Sequence, residues 1–465
     1  MQKSLYIARA LARQGWRVVV VEEHGWGLLS PARFSRFVDA FHLVPSGGGK
    51  HYVDALVAIA EAEKAELFVP CSGAGTTHED ALAADKMRRQ RTSAKSSDGF
   101  RAVIQDPELV LELHEKDKFI TLTRSYSLDA PESILVDSPQ ELLKLLRLPK
   151  QPPRILKCAA ELDDVGRSDL TLYPLRNKAG APDFKATERR ISSLPIPISK
   201  QTPYIAQEFI GGGRTTEWCT HSTIDEQGNV LAFVCCPSND MLMTYHPLPS
   251  NHPLGQRALA WTREFMRRVK KDAKWQGRAI QGHYSFDFIH QPDADAGEGE
   301  QGAEYWNNGR LVAIECNPRV HTAVGLLAEN PKFGSVYDLD VGRSKEQPAL
   351  IEPLPRAKPM SWLAHDVPAR LLPHLVPRFL RKLVHPLWLT SREAGSSSSQ
   401  VVAGGGSHFD LAAPGERDAA WDQEDPLPFV VFYHVTWPYL VLRQVLVRRR
   451  AWSRINVSTA RIFEC

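Results

Sequence analysis

Alternation of apolar and polar positions is sharpest in two stretches of this chain. Across residues 312–317, period two places Val312, Ile314 and Cys316 on one face and Ala313, Glu315 and Asn317 on the other. Pro318 then ends the predicted strand and Arg319 follows. Residues 283–289 alternate in the same way, with Tyr284, Phe286 and Phe288 on one face and Asp287 on the other. A hairpin joining the two strands across the polar stretch 290–310 brings Asp287 to the side of Glu315 and Asn317. Helical periodicity predicts helices over 5–13, with Gly15 as C-cap, over 52–62, over 119–128 and over 254–271. Ser138 is the predicted N-cap of a further helix ending at Leu146. Apolar runs at 17–21 and 66–70 read as buried strands, so the first hundred residues have the α/β alternation of an open parallel sheet.

Between these elements lie segments without periodicity. Residues 88–98 are polar and basic and read as a solvated loop. Gly47, Gly48, Gly49 and Lys50 lack the spacing and the preceding strand of a phosphate-binding loop and read as a flexible turn. Residues 158–185 contain few periodic apolar positions, and 290–304 are acidic and rich in glycine. Residues 396–407 are a Ser/Gly linker. The tail, 429–443, is apolar and is followed by Arg448, Arg449 and Arg450. A membrane span needs about 20 apolar residues; His434, Pro438, Arg443 and Gln444 interrupt this one. A packed or interfacial amphipathic helix is the expected form, and membrane contact through the arginines is the less favoured reading.

Composition narrows the class. A chain of 465 residues suggests two or three domains. With 57 Lys+Arg against 54 Asp+Glu, no basic surface points to nucleic acid. The seven cysteines are odd in number and form no C-x-x-C pair, which suits a reduced, cytoplasmic protein without structural zinc. The first residues lead into a helix and lack the apolar core of a signal peptide.

The candidate chemistry centres on the two alternating strands. A carboxylate and a carboxamide side by side at a strand end, with a second carboxylate opposite, form an oxygen-ligand set suited to Mg²⁺, with Mn²⁺ as an alternative. The fork of Arg319 suits a carboxylate or a transferring phosphoryl group. Lys157 ends an apolar strand beside Ile155, where a phosphate partner would justify its charge. Glu217, Cys219 and His221 share a strand face. Cys219 reads as core packing, and His221 as either an acid/base group or a satisfied structural histidine.

The ordered set resembles the ATP-grasp superfamily, in which the last two metal-binding strands carry an acid and then Glu-x-Asn-x-Arg. The resemblance implies a mixed α/β (α+β) ATP-grasp fold: a preceding α/β domain over 1–112, a nucleotide-binding core over 113–345, and an extension over 346–465. The superfamily opens with an apolar strand and a glycine-rich turn before the first helix; this sequence starts at the helix. The resemblance also assigns roles. Lys118, in Asp117-Lys118, and Lys157, in Arg154-Ile155-Leu156-Lys157, hold the phosphates of ATP. The hinge with Glu208, Phe209 and Ile210 reads adenine through backbone groups, and Glu217 binds ribose. Asp287, Glu315 and Asn317 hold the metal. Residues 158–185 form a flap from which Arg167 closes over the γ-phosphate.

A narrower likeness is carried by 204–223, by Ser285-Phe286-Asp287-Phe288-Ile289, by 314–323, by Phe68-Val69-Pro70-Cys71-Ser72 and by Asp425-Pro426-Leu427-Pro428-Phe429. These segments are similar to the ATP-grasp ligases of mycosporine biosynthesis, which join glycine to the cyclohexenone 4-deoxygadusol. That likeness implies ATP, an amino acid and a cyclic acceptor as substrates, with His221, His321 and Thr322 near the acceptor and Arg319 catalytic. Two other readings stay open: an ATP-grasp ligase with a carboxylate acceptor, and a nucleotide-binding partner protein without turnover.

Overall fold

The computed structural model describes residues 2–93, 100–149, 151–159, 171–211, 215–238, 243–293, 303–338, 349–362 and 416–447. Arg167, the Ser/Gly linker and Arg448–Arg450 lie outside them, as do parts of the basic loop, the flap and the acidic loop. The chain begins with helix α1 (Gln2–Arg13), strand β1 (Val19–Glu23), strand β2 (Ala40–Val44), helix α2 (Gly49–Ala62), strand β3 (Leu67–Phe68), helix α3 (Thr77–Ser93) and strand β4 (Arg101–Ala102). β1 pairs with β2, and β3 with β4, both parallel. Among the described residues the two ribbons do not hydrogen-bond to each other. β1 starts two residues later than periodicity predicts, and β2, largely half-exposed, gave no clear apolar signal. Gly47, Gly48 and Gly49, which lead into and open α2, all have positive φ, 88°, 72° and 76°, a run that side chains would strain.

Helices α4 (Pro107–His114) and α5 (Lys116–Ser125) lead into the central region. α5 starts earlier than predicted because Glu115, in extended backbone, breaks α4 from it and serves as its N-cap. Ser138 caps helix α6 (Pro139–Leu146) as expected, accepting from the Glu141 N–H. A three-stranded antiparallel sheet follows, with strands β5 (Ser133–Val136), β6 (Arg154–Cys158) and β7 (Tyr204–Glu208) in the order β5-β7-β6. Helix α7 (Phe184–Ser192) shares its core with α6.

The larger sheet contains β8 (Thr216–Ile224), β9 (Val230–Pro237), β11 (Gly282–Gln291) and β12 (Arg310–Asn317), in the antiparallel order β12-β11-β8-β9. Short β10 (Thr244–Tyr245) lies outside it. One face packs on helix α8 (Pro253–Lys271). Trp261 and Phe265 meet Phe286 with ring centroids 5.0 and 5.1 Å apart, and Trp261 meets Phe288 at 5.1 Å.

The hairpin of β11 and β12 forms as expected, with Asp287 opposite Glu315 and Ser285 opposite Asn317. Strict period two fails in one place. Phe288 pairs with Ala313, so Ile314 is an extra residue in β12 and forms a bulge. The apolar face is therefore Leu311, Ala313 and Cys316, not Val312, Ile314 and Cys316. Ile314 is left half-buried.

The C-terminal segment returns to the start of the chain. β14 (Arg417–Asp418) pairs with β13 (Met360–Ser361), which pairs with β10. Arg9 then meets Asp425, with Nε 2.9 Å from Oδ2 and both side chains buried. The Ser35 hydroxyl and the Arg36 N–H also donate to that carboxylate. From Leu427 the chain is helical to Val447, with π-helical stretches at Phe432–Thr436 and Arg443–Val447. Phe432 packs with Phe429, Tyr433 and Trp437, while Leu427, Val430, Tyr439, Leu442 and Leu446 stay exposed. No helix among the described residues is long and apolar enough to cross a membrane.

Asp425→Ala leaves the buried Arg9 with only the more distant Asp422 carboxylate, 3.9 Å from Nε, and should cost about 3 kcal/mol of stability in denaturant unfolding. A loss below about 1 kcal/mol would show that the C-terminal segment is only loosely attached. Arg9→Ala combined with Asp425→Ala should cost less than the sum of the two.

Candidate functional site

Three elements converge on one cavity of about 1850 Å³. Lys157 and Ile155 of β6 and Ile205 of β7 line one side. Glu315, Asn317 and Arg319, at and beyond the end of β12, line another, together with Lys116 at the start of α5. The N-terminal ribbons close the third side through residues 19–23 and 67–69, so the cavity continues into the space between β1 and β3. Part of its volume belongs to that space.

The sheet face on this side is acidic, and of its acids Glu315 lines the cavity. Asp287 and Glu315 stand opposite each other across neighbouring strands, and Glu217 lies on the same face of β8. Burial raises the Asp287 carboxyl well above its ordinary range, and the charges of Glu315 and Glu217 push the same way. Oδ1 of Asp287 is buried and takes no hydrogen bond among the described residues. Glu315 has help: Lys116 Nζ lies 3.2 Å from its Oε2, and the Asn317 amide donates to Oε1 at 3.3 Å. That orientation leaves the Asn317 carbonyl oxygen turned from Glu315. Two carboxylates and a carboxamide oxygen, one carboxylate oxygen lacking a donor, fit a hard divalent cation. Among the described residues no three His, Cys, Asp or Glu side chains gather in metal-binding geometry, so the amide of Asn317 is needed to complete the set.

The cations divide differently from expectation. Lys157 reaches Gln207 Oε1 at 2.7 Å on the cavity side of the small sheet. Lys118 turns outward to Glu115 at 2.8 Å and does not line the cavity. Lys116, two residues earlier on α5, takes the inward place. Helical geometry separates them: positions two apart point about 200° apart around the axis. Arg319 lines the cavity with Nη1 3.5 Å from Nδ1 of His114.

The hinge also differs. The N–H groups of Glu208 and Phe209 are spent on the carbonyls of Glu132 and Pro153. Among the described residues only Ile210 of the three retains an amide without a backbone partner. The Glu208 carboxylate accepts from Arg310, which also holds Asp129, and so ties β7 to β12. Glu217 is exposed at the edge of the acidic face.

The histidines are structural in their contacts. His221 is fully buried, stacks on His283 at 5.1 Å and accepts the His321 N–H at Nδ1. Burial, reinforced by His283, holds its pKa far below the usual value, so it stays neutral. His321 caps the turn Thr322–Leu327 by accepting the Ala323 N–H, and burial lowers its pKa to about 3. Thr322 meets the Tyr245 hydroxyl at the cavity wall. Cys219 packs in the core on the other side of the sheet from α8.

Two cavity residues carried no sequence signal. Lys3, at the start of α1, reaches the Ser72 and Val320 carbonyls. Burial and the nearby Arg319 lower its pKa to about 7. Asp80 of α3 is buried and accepts from the Tyr52 hydroxyl at 2.8 Å and from the Ser72 hydroxyl. Helical periodicity marks neither, because each sits in a run of polar residues at the start of its helix.

No protein-family model and no curated protein sequence matches the chain. Among solved structures it is similar to the ADP complex of N5-carboxyaminoimidazole ribonucleotide synthetase, with TM-score 0.50 and 15% identity over 80% of this chain and 82% of that one. The chain has an ATP-grasp fold. It is also similar to the β,γ-ATP complex of biotin carboxylase from Campylobacter jejuni, with TM-score 0.49 and 13% identity over 75% of this chain and 70% of that one. In this fold the cavity between the two antiparallel sheets is where the acidic face and Lys157 meet.

Asp80 gives a pH test of the N-terminal wall. Burial raises its pKa to about 7 from 3.8. Between those values the folded state holds a proton that the unfolded chain has lost, so stability falls as pH rises, and the fall ends above pH about 7. Asp80→Asn removes this fall. Its stability relative to wild type should climb across the window by at most about 1.4 kcal/mol per pH unit. A pH-independent difference in denaturant unfolding would refute the buried, protonated carboxyl.

Proposed function

We propose that this chain is an ATP- and Mg²⁺-dependent ligase that activates an acceptor by phosphorylation and joins it to an amino acid through a C–N bond. The reading rests on one observation above the rest: Asp287 opposite Glu315, with Asn317 two residues on, beside a cavity that also receives Lys157, Lys116 and Arg319. Asp287, Glu315 and Asn317 would hold Mg²⁺, which neutralises charge on the phosphates when bound. Lys157 holds phosphate oxygens as a point charge. Lys116, not Lys118, is the α5 lysine in position to share that task. The resemblance assigns ribose binding to Glu217, and Ile210 would offer the hinge amide to adenine.

The acceptor's oxygen attacks the γ-phosphorus and ADP leaves. Arg319 meets the charge spread over the transferred phosphoryl, an interaction strengthened where water is excluded. The amine nitrogen then attacks the ring carbon bearing the phosphorylated oxygen, and the C–O bond breaks as phosphate departs. The nitrogen loses its proton. The narrower likeness supports glycine as the amine and the enol or ketone oxygen of 4-deoxygadusol as the phosphorylated group, with mycosporine-glycine as product.

Purified protein with ATP, Mg²⁺, 4-deoxygadusol and glycine should release ADP and phosphate. Asp287→Asn and Glu315→Gln should each lower that rate by about 10²–10³-fold with the fold retained. Lys116→Ala should lower it and Lys118→Ala should not, which separates the two lysines directly. With oxygen-18 in the acceptor oxygen, the label should leave in inorganic phosphate. Retention in the organic product would exclude phosphorylation at that oxygen, and near-normal turnover in both acidic variants would exclude the metal assignment.

A further inference from the structure

A second cationic corner of the cavity joins Arg319 to a lysine that the phosphate end does not use. The Lys3 ammonium donates to the Ser72 carbonyl at 3.1 Å and to the Val320 carbonyl at 2.9 Å. An ammonium carries three N–H donors, and two carbonyls take two of them. Neither contact supplies negative charge. The nearby acid, Asp80, is engaged by the hydroxyls of Tyr52 and Ser72. Val320 directly follows Arg319, so the Lys3 bond ties α1 to the loop bearing that arginine, and both cations line the same cavity.

A structural tie between α1 and two loops needs only a neutral donor. A buried charge without a counter-charge is costly, and a second cation beside it raises the cost. The arrangement becomes favourable when an anion enters between them. The position is specific: the corner lies where the N-terminal wall faces the end of β12, across from Lys157 of β6.

We propose that Lys3 and Arg319 form a clamp for a negatively charged oxygen of the acceptor, which therefore enters as a small organic anion, an enolate or a carboxylate. Lys3 is a substrate-binding residue contributed by the N-terminal domain. It fixes the acceptor oxygen toward the phosphate end and keeps the Arg319 loop in place. This assignment rests on the ligase reading for the identity of the ligand, but its test does not require turnover.

The test uses the full chain loaded with Mg²⁺ and a non-hydrolysable ATP analogue. Three ring probes are titrated by ligand-detected NMR: cyclohexane-1,3-dione, an enolate at neutral pH; cyclohexanecarboxylate; and neutral cyclohexanone. The anionic probes should bind at least tenfold more tightly than cyclohexanone. Lys3→Gln should weaken anion binding at least tenfold while leaving nucleotide affinity unchanged, and Lys3→Arg should restore most of it. Whichever anion binds more tightly identifies the acceptor as enolate or carboxylate. Equal binding of charged and neutral rings by wild type overturns the clamp without any variant, and so does equal anion binding by wild type and a folded Lys3→Gln protein. If the anions bind in a Lys3-dependent way but no ADP is released with any acceptor, the ligase reading fails and the clamp stands.

Discussion

Two carboxyl groups held opposite each other by strand pairing set the terms for this protein, because both can be ionised only when positive charge is brought in. The register of β11 against β12 fixes Asp287 across from Glu315, and the backbone ladder leaves neither free to move away. In a low-dielectric setting such a pair repels unless positive charge is brought in. Lys116 and the Asn317 amide come to Glu315, yet one Asp287 oxygen is left buried without a donor among the described residues. The surrounding architecture keeps the pair in place. The bulge at Ile314 turns Glu315 and Asn317 to the cavity while Cys316 and Ala313 stay in the core. The aromatic packing of α8 on Phe286 and Phe288 holds the other face of the sheet.

The two ends of the cavity are built from different materials. Phosphate-end residues ride on strands: Lys157 on β6, Asp287 on β11, Glu315 and Asn317 on β12. Strand pairing fixes their spacing to within the geometry of the ladder. Residues at the opposite end ride on a helix start and on loops: Lys3, Ser72 and Thr322, with Arg319 between the two ends. Loops of this kind vary between proteins that share a fold, and fold alone does not select a substrate.

What the sequence could show follows the same division. The alternation around Asp287 and Glu315 was legible, and so was the hairpin that joins them, because period two and the strand-ending proline are local signals. The bulge was not: its extra residue appears only when β12 is laid against its partner, and it reassigned Ala313 and Ile314. The sequence does not separate Lys118 from Lys116, because both are lysines near one helix start and the helix phase that distinguishes them depends on Glu115 breaking α4 from α5. At the expected hinge, the use of the Glu208 and Phe209 amides by Glu132 and Pro153 was not legible, because it depends on neighbours more than 50 residues away. Lys3 and Asp80 escaped notice because their significance lies in what faces them.

The pairing of Arg9 with Asp425 has a consequence for synthesis. The two residues are 416 positions apart, and Tyr6 of the same helix hydrogen-bonds to the Ala419 carbonyl. Chains emerge from the ribosome from the N-terminus, and their domains generally fold in that order. Here α1 carries a buried guanidinium whose counter-charge is made 416 positions later. Until then Arg9 stays hydrated and α1 cannot take its final place. A ribosome stalled between the two would leave α1 exposed to chaperones and proteases.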